Sequence, residues 1–198
     1  MNSWMPIALW ALFTPISVGL PGEVRIALHA GTELEQRGKE QLERLLRTYD
    51  LDKWIFTHEV VIQSRVLPHS HPVLTLNTRY LDQDVHQLAN FVHEQLHWFL
   101  ADMVSEKNVE AAIVELRTMY PSVPKEPPEG ARGLDSTYLH LLVCHLELQA
   151  LSELLGENDA RNHLATVDHY TWIYKTVLDD TDAMQSLVTR HGLVVRAR

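Results

Sequence analysis

The chain has one cysteine, Cys144, in 198 residues. No disulfide can form within it, and cysteine usage leaves the redox compartment open. Basic residues are scarce as well. Seventeen Lys and Arg against 26 Asp and Glu give a formal charge of −9. No Lys/Arg stripe runs through the sequence, so the electrostatic footprint of a nucleic-acid binder is missing. Long hydrophobic runs are absent with one exception. Trp4–Leu20 is apolar and uncharged, but it contains Pro6 and Pro15, and its 17 residues fall short of the roughly 20 that a membrane span needs. No stable span is expected. Ser17 and Gly19 have the small-residue spacing of a signal-peptidase site, although no Lys or Arg precedes the apolar stretch. Residues 1–22 therefore read either as a signal peptide cleaved after Gly19, which makes the protein secreted or periplasmic, or as an apolar arm of a cytoplasmic one. Internal repeats and low-complexity tracts are also lacking.

What is present describes a globular protein. The hydrophobic content of 45% supports a core rather than disorder, and the length suits one domain over residues 23–198. Twelve histidines lean toward metal chemistry, because imidazole is the commonest metal ligand.

Periodicity divides the chain into a β-rich half, 23–80, and a helical half, 82–198. Glu23–His29 alternates, with Val24, Ile26 and Leu28 on one face of a half-buried strand. Thr32 and Glu35 form a capping box for a helix with Leu34, Leu42, Leu45, Leu46 and Tyr49 in its stripe. Trp54–Thr57, Val60–Val66 and Val73–Tyr80 read as strands, with a turn at Pro68–Pro72. Asp82 is placed to cap a long helix carrying Val85, Leu88, Val92, Leu96, Phe99 and Met103. Ser105 starts another, with Val109, Ala112, Ile113 and Leu116 inward. Tyr120–Gly133 is a proline-rich loop and the candidate rim of a cleft. Asp135 caps a helix closed by Gly156, and shorter helices follow at about 168–178 and 181–191. The expected class is α+β, with a mixed or antiparallel sheet followed by an all-helical lobe.

The informative motif is His93-Glu94-Gln95-Leu96-His97. Histidines four apart on a helix lie on one face, one turn apart, where both can reach the same ion. Between them, Glu94 is placed to take a proton from an attacking water and pass it to a leaving amine. Val92, Leu96 and Phe99 supply apolar walls that distinguish this context from a solvated helix face. A third ligand must come from later in the chain, because no histidine follows within the next six residues. On the 135–155 helix, His140, Cys144 and Glu147 share one face. Glu147 sits among Leu146, Leu148, Val143 and Ala150, where a lone carboxylate is costly. It is the favoured ligand, with His140 second. Cys144 reads as a small buried hydrophobe.

This motif, set between a sheet and a helical segment, resembles that of the zincin metallopeptidases. The resemblance implies a zincin-like fold, a zinc ion and a peptide or protein substrate. It also implies hydrolysis by zinc-activated water with Glu94 as general base, and a strand before the motif helix, here Val73–Tyr80, that pairs with extended substrate. The distant third ligand is similar to that of gluzincins, in which a Glu serves, although Leu151 stands where those proteins carry an acid. His169, Tyr170 and Tyr174 are candidates for the donor that stabilises the tetrahedral intermediate, or are aromatic core residues. His86 and Asn90 share the histidine stripe and could support the ligands. Two other functions stay open: a non-catalytic zinc-binding scaffold, and a metal-dependent amide hydrolase acting on a non-protein substrate. An intact Glu94 favours an enzyme, because a scaffold has no need of a base there.

Overall fold

The computed structural model describes residues 23–196. The candidate signal peptide lies outside them. Among the described residues the order is β1 (Arg25–Leu28), α1 (Glu33–Thr48), β2 (Glu59–Ile62), β3 (Leu74–Leu76) and α2 (Asp84–Trp98). Five further helices follow: α3 (Glu106–Met119), α4 (Leu134–Leu155), α5 (Glu157–Leu164), α6 (Thr171–Asp179) and α7 (Thr181–Arg190). Among the described residues no helix is long and apolar enough to cross a membrane.

The class is mixed α and β, but the sheet is parallel throughout, in the order β1-β2-β3, not mixed or antiparallel. Two connections explain this. Helix α1 carries the chain back between β1 and β2, as parallel pairing requires. Between β2 and β3 a loop makes the return. The expected strand Val60–Val66 breaks after Ile62, and the chain then runs back along the outer edge of β3. His69 there exchanges both main-chain hydrogen bonds with Thr75, at 3.1 and 2.8 Å, as an antiparallel bridge. The Pro68–Pro72 turn is therefore real, but it joins this edge segment to β3. It also means that the outward main-chain groups of Thr75 are already paired. Val73–Tyr80 shortens to the buried strand Leu74–Leu76. Trp54–Thr57 is not a strand: Asp52–Trp54 forms a single 3₁₀ turn with Trp54 buried.

Several helices begin where the sequence indicates and others do not. The Thr32–Glu35 capping box is present. Glu35 also accepts main-chain N–H groups from Ala30 at 2.9 Å and Ser64 at 3.1 Å, which fastens α1 to the loops after β1 and β2. Helix α2 starts two residues beyond Asp82, which has φ 66° and instead accepts from Arg37 at 2.7 Å. Helix α4 starts at Leu134 with Gly133, at φ 97°, before it. Asp135 falls in the first turn, where an acid suits the helix dipole. Phe99–Met103 is a π-helical turn, whose extra residue per turn shifts the side-chain register, and Met103 is 50% exposed. Helix α5 was unexpected, because its segment has only Ala160 and Leu164 buried and so shows no sustained apolar stripe.

The core runs from Leu42 to Val195 through both halves of the chain. At its centre lies α4, apolar around most of its circumference, as a helix covered on all sides must be. Gln95, in the middle of the motif, is completely buried. Its Oε1 accepts from the N–H of Phe56 at 2.7 Å and of Thr57 at 2.9 Å, and its Nε2 donates to the Thr57 carbonyl at 2.8 Å. This clamp holds α2 against the segment before β2. Gln95→Leu strands those main-chain groups and should destabilise the protein by about 2–4 kcal/mol. Chemical denaturation would check this, and a loss below about 0.5 kcal/mol would show that the clamp matters little.

Candidate metal centre

Helices α2 and α4 pack face to face and bring the candidate ligands together. Atoms of His93, His97 and His140 able to bind a cation all lie within 4.8 Å of one another. That scale is compatible with three imidazoles around one ion, given Zn–N bonds of about 2.0–2.1 Å. The rings of His93 and His97 are 5.1 Å apart, those of His97 and His140 5.0 Å, and those of His93 and His140 5.6 Å. A second trio, His93, Cys144 and Glu147, is equally close, so both third-ligand candidates, Glu147 and His140, border His93.

Hydrogen bonding tells the two trios apart. The Nδ1 of His93 is 2.9 Å from Oε2 of Glu147, and the same oxygen accepts the Tyr174 hydroxyl at 2.9 Å. The Nδ1 of His140 donates to the Ser136 carbonyl at 2.7 Å. Each contact fixes a ring through Nδ1, the usual arrangement behind a histidine that ligates through Nε2. In the second trio the chemistry is less suitable. Burial raises the pKa of the Cys144 thiol, which opposes the thiolate a metal requires, and Glu147 is already engaged by His93 and Tyr174.

The electrostatics of two of the three histidines suit a cation. Burial, followed by the neighbouring imidazoles of His93, His140 and His71, lowers the pKa of His97 to about 2. Burial and His93 lower that of His140 to about 4. Both rings therefore present neutral nitrogens at ordinary pH, as metal ligation requires. For His93 burial is the largest single effect and acts downward, but the Glu147 carboxylate and the Cys144 side chain together outweigh it and raise the pKa well above the usual histidine value, so this ring holds a proton that a bound ion must displace. Burial raises Glu94 above the ordinary carboxyl range, against smaller opposing effects of His93 and His69, which makes it a stronger base.

The site opens into a cleft of about 780 Å³ lined by His93, Glu94, Glu147, Tyr170 and Tyr174. One wall comes from residues 65–68 and 77–80, and the other from Pro127, Arg132 and residues 168–170. The proline-rich loop thus reaches the rim, as its composition suggests. Among the donor candidates, Tyr170 packs its ring 4.5 Å from that of His140 and stays protonated because burial raises its pKa. Tyr174 is engaged with Glu147. His169 sits at the rim, 3.4 Å from Asp168. Asn90 lines the cleft, and its buried Nδ2 has no hydrogen-bond partner among the described residues. His86 lies elsewhere, stacked on Tyr80 at 4.8 Å and edge-on to His163 at 4.6 Å.

Sequence reasoning missed the turn Pro68–Pro72 as part of this centre. Trp98 donates to the Ser70 carbonyl at 2.8 Å and stacks on His71 at 4.2 Å, which pins the turn against the end of α2. The histidine-rich composition of the turn was the only available signal. Comparison with family models, with curated proteins and with solved structures finds no match for this chain.

Proposed function

We propose that the protein is a zinc-dependent hydrolase that cleaves peptide bonds. The observation that carries this reading is the convergence of His93, His97 and His140, with His93 and Glu94 lining an open cleft. The three imidazoles would hold the ion and leave a fourth position toward the cleft, as catalytic zinc sites do. Zinc bound there would supply a Lewis acid and bring the pKa of water to about 7.

The protein's own groups account for the remainder. Glu94 takes the proton from water and delivers it to the departing amine nitrogen. Tyr170, held protonated against His140, offers its hydroxyl to the oxygen on which negative charge develops. Glu147 and Tyr174 orient His93, so both act behind the ligands rather than among them. This assignment makes His140 the third ligand, in place of the Glu147 that the resemblance to gluzincins implies. The buried base favours catalysis over a scaffold role. The test is cleavage of an unbiased peptide library by protein supplied with zinc, with a chelator control. Stoichiometric zinc without any cleavage would defeat the reading.

A further inference from the structure

The cleft is lined by three arginines, Arg65, Arg79 and Arg132, in a chain of net charge −9. Outside the cleft Arg25, Arg37, Arg44, Arg117 and Arg190 each meet a carboxylate, while Arg161 is held by Thr181 and the Leu178 carbonyl and Arg47 has no carboxylate partner among the described residues. In the cleft Arg79 pairs with Asp168 at 3.3 Å. Arg65 and Arg132 have no carboxylate partner among the described residues. The other acids that line the cleft are not available to them. Glu147 is held by His93 and Tyr174, Asp168 by Arg79 and His169, and Glu94 stands beside the histidines.

Backbone strain concentrates at the same place. Three described non-glycine residues have a left-handed backbone: Arg65 at φ 63°, Asp82 at φ 66° and Tyr170 at φ 53°. Such conformations cost of order 1–3 kcal/mol and persist where the surroundings enforce them. Two of the three, Arg65 and Tyr170, line the cleft. Arg132 and Tyr170 line the same cleft as Glu94. Arg65 stands on the wall formed by the loop after β2.

We propose that the cleft selects substrates bearing a carboxylate, received by Arg132 and Arg65 while the scissile amide lies at Glu94 and Tyr170. The planar guanidinium fork matches a carboxylate in geometry and charge. Two sources share this chemistry, an Asp or Glu side chain and the C-terminal carboxylate of a peptide. The inference rests on the peptide-hydrolase reading, but its test does not depend on turnover.

Three octapeptides suffice. One is acetylated, amidated and carries a single Glu. The second replaces that Glu with Gln. The third is the Gln peptide with a free C-terminal carboxylate. Binding is measured by calorimetry on full-length Glu94→Gln protein supplied with zinc, and cleavage on the wild type. One of the charged peptides should bind roughly 10-fold tighter than the neutral one, a difference of about 1.4 kcal/mol. Arg132→Gln and Arg65→Gln should each remove most of that preference. The Glu peptide winning identifies an acidic side chain, and the free carboxylate winning identifies a chain terminus. Equal binding of all three, binding of none, or a preference that survives both arginine substitutions would overturn the proposal. Charge-selective binding without any cleavage would leave the subsite standing and overturn only the hydrolase reading.

Discussion

His140→Ala should empty the protein of zinc as completely as His93→Ala or His97→Ala, from about one ion per chain to near none. The three imidazoles form one trio with ligand atoms within 4.8 Å, and a three-ligand catalytic site has no spare member to lose. Glu147→Gln should behave differently. It keeps the size of the side chain but weakens the contact to His93 Nδ1, and loss of such an orienting group lowers metal affinity roughly 10- to 100-fold. Zinc content after gel filtration, with competition against a chromogenic chelator, separates the two behaviours. Thermal unfolding of each variant shows whether an empty site means an unfolded chain. A reversed order, with Glu147→Gln empty and His140→Ala retaining its ion, would place the metal between His93, Cys144 and Glu147.

The second large effect belongs to Glu94. Glu94→Gln preserves shape and removes basicity, so zinc content and folding should stay near wild type while kcat/KM falls by roughly 10²-fold or more. This contrasts with His97→Ala, which should lose metal and activity together. A Glu94→Gln variant that binds zinc and still hydrolyses at more than about a tenth of the wild-type rate would remove Glu94 from the role of base.

Local chemistry in the sequence determined a definite set of features. The Thr32–Glu35 box starts α1 because a capping hydroxyl and a carboxylate three residues later need only the local backbone. The i, i+4 spacing of His93 and His97 put both rings on one face of α2, and the apolar stripes of α2, α3 and α4 determined which faces are buried. Glu147 was legible as a buried carboxylate in need of a partner, and its partners proved to be His93 and Tyr174. Strand direction was not legible, because period-2 alternation is the same in parallel and antiparallel sheets. It was decided by α1 crossing between β1 and β2 and by the return of residues 64–69 along β3. The choice between His140 and Glu147 was likewise tertiary. Both lie on one face of α4, and only the packing of α4 against α2 determines which of them joins the His93–His97 pair and which meets His93 Nδ1. The unpaired arginines of the cleft arise in the same way, because segments distant in sequence form its walls and tertiary packing alone decides which charges find partners.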